Sequence, residues 1–141
     1  MIFLMSQVEA DRHQVKPGIV QCISPYLNPA HVLAPPRGWL EALVRGEFSW
    51  HFFRLRYKSL LRKRFRADPE RFFALLDASG NVHPLVLTCH CLSNPCHREI
   101  ARDFLENLRL QPPYCRRSEM REAVFAAMAT RTARGGITAH G

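Results

Sequence analysis

Short apolar runs bounded by turn residues predict three β-strands along the chain. The runs are residues 2–5, 19–23 and 85–87. Runs of this length that are rich in Val, Ile, Leu and Phe are typical of buried strands. The third run is followed by a short loop and then by a helical pattern. We therefore predict a strand–loop–helix unit over residues 84–108.

Apolar residues at helical spacing predict five helices, most of them with a recognisable start. Ser49 is a typical N-terminal cap, and so is Asp68 followed by Pro69. In the third strand's unit, Asn94 is predicted to cap the helix and Pro95 to be its first residue. The predicted helices cover residues 39–45, 50–66, 69–76, 95–108 and 118–129.

The alternation of strands and helices predicts a single α/β domain with a small, mostly parallel sheet flanked by helices. We expect this domain to occupy residues 1–110, followed by a C-terminal helical extension over 111–134 and a disordered tail over 135–141. Residues 24–36 contain four prolines and no clear periodicity, which predicts an ordered loop or a flap.

Composition adds an expected partner and an expected compartment. The chain has 20 Lys and Arg against 12 Asp and Glu, a formal net charge of +8, which favours an anionic partner or substrate. Three of the five cysteines share one loop, unlike the spaced cysteines of secreted disulfide frameworks, so we expect a reducing cytoplasm. No apolar run approaches the ~20 residues that cross a bilayer, so we expect no membrane association.

Cysteine and histidine residues are concentrated between the end of the third predicted strand and the start of the helix that follows it. This stretch contains Cys89, His90, Cys91, Cys96 and His97. The first turn of a helix presents backbone N–H groups that lack intrahelical partners, so it attracts anions and favours a thiolate over a thiol. Sites in open α/β sheets lie outside the carboxyl ends of the strands, which is where these residues fall.

One hypothesis is a small enzyme or a protein that binds a nucleotide-like ligand. Cys96 or Cys89 would supply a reactive thiol, and His97 would act as an acid or base. Arg98 and the helix start at Asn94 would hold a phosphate or a carboxylate. Neighbouring residues point about 100° apart on a helix, so Cys96 and His97 need not touch each other.

A second hypothesis is a zinc site. Cys89, Cys91 and Cys96, with His97 or alternatively His90, form a Cys3His set of ligands. Four protein ligands would make the site structural, whereas an open fourth position would permit metal-assisted hydrolysis.

Residues of the proline-rich loop are further ligand-binding candidates. Tyr26 and His31 could reach a ligand at the cysteine loop, and His31 or His90 could be the partner of Cys96. The alternative is that both loop residues are simply solvated.

A third hypothesis leaves the cysteines as small buried residues and assigns function to a basic helix. Arg54, Lys58, Arg62 and Arg66 are four residues apart and form one stripe. Such a stripe contacts the phosphates of nucleic acid or a protein partner in some helices, and in others it is only a solvated face.

With these residues placed, the chain resembles the bacterial and phage domain-of-unknown-function family four hundred and eighty-eight. The family's signature is an apolar strand ending in Cys and, after a short loop, Cys-His-Arg at the start of a helix. The matching residues are 85–89 and Cys96-His97-Arg98, with weaker matches at Ala34-Pro35, Trp39-Leu40, Phe53, Tyr57 and Arg64-Phe65-Arg66. The resemblance covers roughly residues 17–108. It implies a Rossmann-like sheet and a site at the Cys-His-Arg element, and it leaves open both a cellular enzyme and a phage-borne accessory protein that targets a host system.

Overall fold

The computed structural model describes residues 2–14, 20–78, 85–89 and 96–138, and within these ranges the chain forms three strands and six helices. The strands are β1 (Ile2–Ser6), β2 (Val20–Cys22) and β3 (Leu85–Cys89). The helices are α1 (Gln7–Arg12), α2 (Arg37–Val44), α3 (Trp50–Ala67), α4 (Pro69–Ala78), α5 (His97–Leu110) and α6 (Pro112–Thr138). None of the described helices is long and apolar enough to cross a membrane.

The three strands form a parallel sheet with the order β1-β3-β2. All five residues of β3 are buried, because this strand pairs on both sides and is covered on both faces. The backbone N–H of Ile23 extends the pairing by donating to the carbonyl of Thr88 at 2.8 Å. The predicted α/β class with a parallel sheet flanked by helices is confirmed.

Residues 1–107 and 108–141 form two compact units. The first unit contains the sheet and α1 to α4, together with most of α5. The second contains the last turn of α5 and all of α6. Helix α6 is longer at both ends than the predicted helix over 118–129, and its last turn includes Gly135 and Gly136, where a tail was expected. Proline at its first positions is compatible with a helix start, where no intrahelical N–H bond is lost.

Helix α1 was not predicted, although its start has a recognisable sequence signature. The hydroxyl of Ser6 accepts from the backbone N–H of Glu9, and the Glu9 carboxylate accepts from the backbone N–H of Ser6 at 2.9 Å. This reciprocal pair is a capping box. The backbone bond from Ser6, then the Ser6 hydroxyl and more weakly the charge of Arg98, hold the pKa of Glu9 below its ordinary value.

Helix α3 contributes three large side chains to the core. It begins after Ser49, as predicted, and buries Phe53, Tyr57 and Leu61 on one face. The Ser49 hydroxyl accepts from the backbone N–H of Phe52 at 3.1 Å. Helices α2 and α4 also form where helices were predicted, although α2 begins two residues earlier, at Arg37.

Side chains of α3 hold the proline-rich loop in place. The Tyr57 hydroxyl donates to the carbonyl of Leu33 at 2.5 Å. The guanidinium of Arg64 donates to the carbonyls of Val32 and Ala34 at 2.9 and 2.6 Å. Because Val32, Leu33 and Ala34 are themselves buried, this part of the loop is an ordered segment of the core.

Candidate metal centre

The end of β3 and the start of α5 bring two thiols and one imidazole together. Cys89 is the last residue of β3, and Cys96 immediately precedes His97, the first residue of α5. The Sγ atoms of Cys89 and Cys96 lie 3.1 Å apart, and Cys96 Sγ lies 3.8 Å from His97 Nδ1. One ligand atom from each residue lies within 4.8 Å of the others. We call these three residues the Cys–Cys–His cluster.

The helix starts later than the sequence predicted, which changes the position of Cys96. Helix α5 begins at His97 and not at Pro95, so Cys96 occupies the position before the first turn. The carbonyl of Cys96 accepts from the backbone N–H of Glu99 at 3.1 Å, as expected of a residue that precedes a helix. The sulfur nevertheless lies at the positive end of the helix. The predicted cap, Asn94, lies outside the described residues.

The tautomer of His97 follows from its second contact. Its Nε2 lies 3.1 Å from the carbonyl oxygen of Ile23, which follows β2. A carbonyl can only accept, so Nε2 carries a proton and donates it, and in the neutral imidazole Nδ1 then holds the lone pair, on the side of Cys96. The His97 and Tyr57 rings also pack in a T-shaped arrangement, with 6.2 Å between ring centroids. Backbone carbonyls commonly orient metal-binding histidines in this way.

Burial and charge both act on the sulfur atoms. Cys89, Cys96 and His97 are 0%, 3% and 1% exposed. The half-buried Arg98 donates from Nε to Cys96 Sγ at 3.3 Å, and this fixed positive charge stabilises a negatively charged sulfur. Buried thiolates need such compensation, because burial otherwise penalises charge.

The distances fit a set of metal ligands better than a disulfide. The separation of 3.1 Å between the sulfurs is well beyond the ~2.05 Å of an S–S bond, so both residues are thiols. In a tetrahedral zinc site with Zn–S bonds near 2.3 Å, two sulfurs lie about 3.8 Å apart. Cys89 and Cys96 would therefore need to separate by only about 0.7 Å to accommodate an ion.

The residues of the intervening loop cannot be assigned to this geometry. The sequence predicted Cys91 as the third sulfur ligand and His90 as the alternative histidine ligand. Both residues lie outside the described residues, together with Asn94. Their roles remain predictions. The described cluster supplies two of the three predicted sulfur ligands and the preferred histidine.

Tyr26 and His31 make their contacts within the proline-rich loop and its neighbours. His31 Nε2 lies 3.0 Å from the side-chain oxygen of Gln21, and its Nδ1 accepts from the backbone N–H of Leu33 at 3.1 Å. The guanidinium of Arg37 lies 4.8 Å from the ring centroid of Tyr26. Within the described ranges, neither Tyr26 nor His31 is bonded to the cluster.

The basic stripe of α3 does not follow a single line down the exposed side of the helix. Four residues correspond to about 400° of rotation, so each step turns the stripe by about 40°. Arg54, Arg62 and Arg66 are exposed, whereas Lys58 is half-buried. None of these four side chains forms an ion pair in the part of the chain that the structure describes.

Two groups of the site were not identified from the sequence. The carbonyl of Ile23 orients His97, and the ring of Tyr57 packs against it. A backbone acceptor leaves no signal in the sequence, because every residue carries one. Tyr57 was named only among the weaker matches of the family resemblance, without a role in the site.

Comparisons of this chain with protein-family models, with curated proteins and with solved structures find no significant match. The resemblance to the domain-of-unknown-function family therefore remains a prediction. The fold and the Cys–Cys–His cluster are the observations on which function is argued.

Proposed function

We propose that this protein binds a zinc ion at the Cys–Cys–His cluster and that the ion has a structural role. The observation that carries the proposal is the orientation of His97. Its Nε2 is bonded to the carbonyl of Ile23, so Nδ1, which carries the lone pair when the ring is neutral, faces Cys96 in a buried site with a second thiol nearby. Two thiolates and an imidazole are ligands that zinc prefers.

A fourth ligand would come from the segment that joins β3 to α5. Cys91 follows Cys89 by two residues, and His90 lies between them in the sequence. Either would complete a tetrahedral set, with Cys91 giving Cys3His and His90 giving Cys2His2. A closed set of four protein ligands is typical of structural zinc, and the burial of the three described ligands supports that role.

The charge of the neighbouring Arg98 supports the Cys3His set. Three thiolates around a divalent ion leave one net negative charge in a buried place, where a lone charge is costly. The Arg98 guanidinium, in contact with Cys96 Sγ, would offset that charge. Thiols that serve as ligands must remain reduced, so we also propose a cytoplasmic location.

A second candidate is the binding of a nucleotide-like anion at the start of α5. The observation that favours it is Arg98, which adds a fixed positive charge to the helix N-terminus beside Cys96. In this case Cys96 would be a reactive thiolate, and the protein would contain no bound metal. Metal content therefore separates the two candidates.

The test is metal analysis of protein purified under reducing conditions without a metal-affinity tag. We expect about one zinc ion per chain. Cobalt exchanged into the site should show the visible bands of a tetrahedral ion and the near-ultraviolet bands of cobalt–thiolate bonds. Cys89→Ser and Cys96→Ser should each lose the bound metal or bind it at least about tenfold more weakly. Mutation of a residue that only supports a metal ligand already lowers metal affinity by about that factor.

Matched cysteine variants provide the controls. Cys22→Ser and Cys115→Ser change half-buried cysteines that are not part of the cluster, and both should retain the metal. Cys91→Ser and His90→Ala identify the fourth ligand. Wild-type protein that remains metal-free after incubation with zinc, or Cys96→Ser protein that retains wild-type content, would contradict the proposal. Far-ultraviolet circular dichroism confirms that each variant is folded.

A further inference from the structure

Helix α3 has an unusual distribution of charge. Between Trp50 and Ala67 it contains seven Lys and Arg and no Asp or Glu. This helix therefore carries a formal charge of +7, and the rest of the chain contributes only +1 to the net charge of +8. Cations near its C-terminus, such as Arg64 and Arg66, are favoured by the helix dipole. The dipole does not explain cations that begin at Arg54, in the N-terminal half of the helix.

We propose that the outward face of α3 binds single-stranded nucleic acid. This face is opposite the buried residues Phe53, Tyr57 and Leu61, and at 100° per residue it spans about 120° of the helix surface. We call it the α3 face. It consists of the exposed residues Phe52, Leu55, Arg56, Ser59, Arg62, Lys63 and Arg66.

The cations of the α3 face are available to an anionic partner. Arg62, Lys63 and Arg66 are exposed and form no ion pair within the described residues. By contrast, the exposed Arg37 and Arg45 are paired with Glu41 and Glu47. A group of like charges without carboxylates is unfavourable unless solvent or a polyanion compensates it, which gives the surface its complementarity to phosphate.

Apolar groups on the same face point to unpaired bases. Phe52 and Leu55 are 44% and 51% exposed among the cations. The guanidinium of Arg56 lies over the rings of Trp39, Phe48 and Phe52, at 4.8, 5.8 and 5.6 Å from their centroids. Exposed rings beside arginines are the groups on which single-stranded nucleic acids stack their bases.

The shape of the surface favours a single strand over a duplex. A duplex presents its phosphates outward and hides its bases, so exposed Phe52 and Leu55 would gain nothing from it. From Phe52 to Arg66 the helix rises about 21 Å, a length on the scale of a few nucleotides. This inference is independent of the zinc proposal, because none of the cluster residues belongs to the α3 face.

The experiment measures fluorescence anisotropy of a labelled oligothymidine of about 15 nucleotides with the full-length protein as purified. We expect binding at low salt whose logarithmic affinity falls linearly with the logarithm of salt concentration, by about 0.7 for each phosphate contact. The doubly substituted variant Arg62→Gln, Arg66→Gln should lose about tenfold in affinity and should show a shallower salt slope.

Phe52 separates base stacking from charge attraction. Phe52→Ala should weaken binding about tenfold while leaving the salt slope unchanged. If Phe52→Ala is unfolded by circular dichroism, Phe52→Leu keeps an apolar contact with Phe48 but lacks the ring, and the same loss is expected. Arg45→Gln removes the same type of charge outside α3 and should bind within about twofold of wild type.

Several results would overturn the proposal. These are the absence of binding at low salt, an equal loss in Arg45→Gln, or no loss in folded Phe52 variants. Binding of a duplex of the same sequence as tightly as the single strand would assign the surface to phosphates alone. Displacement of the oligonucleotide by an equal charge concentration of polyglutamate would show that only charge is recognised.

Discussion

His97 and His31 show how the bonds of a side chain decide what it can do. His97 is buried and His31 is half-buried, and each has its Nε2 within hydrogen-bond distance of an oxygen atom. The Nδ1 of His31 accepts from the backbone N–H of Leu33, so a ligand would have to displace one of its two bonds. The Nδ1 of His97 faces Cys96 Sγ instead. The same residue type therefore serves as a loop support in one place and as a candidate ligand in the other.

The surroundings of His31 predict a dependence of stability on pH. Burial, with smaller contributions from the charges of Arg71 and Arg64, lowers the pKa of His31 to about 4 from an ordinary value of 6.5. The unfolded chain takes up a proton below pH 6.5 while the folded chain does not. The stability that neutral His31 contributes is thus complete above pH 6.5 and is lost as the pH falls towards about 4.

We expect the free energy of unfolding at pH 5 to lie about 1 kcal/mol below its value at pH 7, after allowance for the partial exposure of the ring. Urea denaturation at the two pH values measures this difference. His31→Asn has no imidazole to protonate and should show a smaller difference. An equal difference in the two proteins would mean that other groups cause it.

Helix α3 shows how one element positions several parts of the fold. Its buried face sends Tyr57 to the loop carbonyl of Leu33 and places the same ring against His97. Two turns further along the helix, the guanidinium of Arg64 donates to two more loop carbonyls. Tyr57 and Arg64 are seven residues apart, close to two full turns, so both side chains point to the same side of the helix. The stability of α3 itself depends in part on its cap at Ser49.

Ser49→Ala tests that cap. Removing the hydroxyl leaves the backbone N–H of Phe52 without its partner, so we expect the free energy of unfolding to fall by about 1 kcal/mol. Thermal or urea denaturation measures the loss. Ser59→Ala, at an exposed position in the middle of the same helix, should change stability by less than about 0.5 kcal/mol. Equal effects at the two positions would show that the cap does not stabilise α3.

At the scale of the whole molecule, the cluster connects several elements of the first unit. Cys89 ends β3, Cys96 and His97 begin α5, Ile23 follows β2, and Tyr57 belongs to α3. A metal ion at this place would cross-link the sheet to a helix. The unfolded chain does not hold the three ligands together, so the ion would bind mainly to the folded state. Binding and folding of this unit should therefore be coupled.

Removing the metal with a chelator should lower the unfolding temperature. A ligand present at a thousandfold excess over its Kd stabilises the folded state by about 4 kcal/mol, which sets the scale of the loss. Differential scanning calorimetry with and without chelator measures it. Cys96→Ser should already unfold at the lower temperature and should not respond to chelator. A metal-containing wild-type protein whose unfolding temperature is unchanged by chelation would exclude a structural role.

Some features of the site could be predicted because they depend on neighbouring residues. The apolar run before Cys89 favours a strand, and the periodic residues after His97 favour a helix. Ser49 and its helix follow from the same local rules. The exact start of α5 was predicted two residues too early, because the Asn94-Pro95 signal was taken as the helix start. Helix α1 was missed, although Ser6 and Glu9 have the spacing of a capping box.

The sequence by itself determined the three strands and five of the six described helices, and that thiols, an imidazole and an arginine lie near one strand end. These properties follow from periodicity and capping, which act over a few residues. Only the tertiary structure decided that β3 lies between β1 and β2 and that the carbonyl of Ile23 orients His97 across 74 residues of chain. Parallel strands pair through backbone groups that every residue has, so the sequence contains no local record of which carbonyl will meet which side chain.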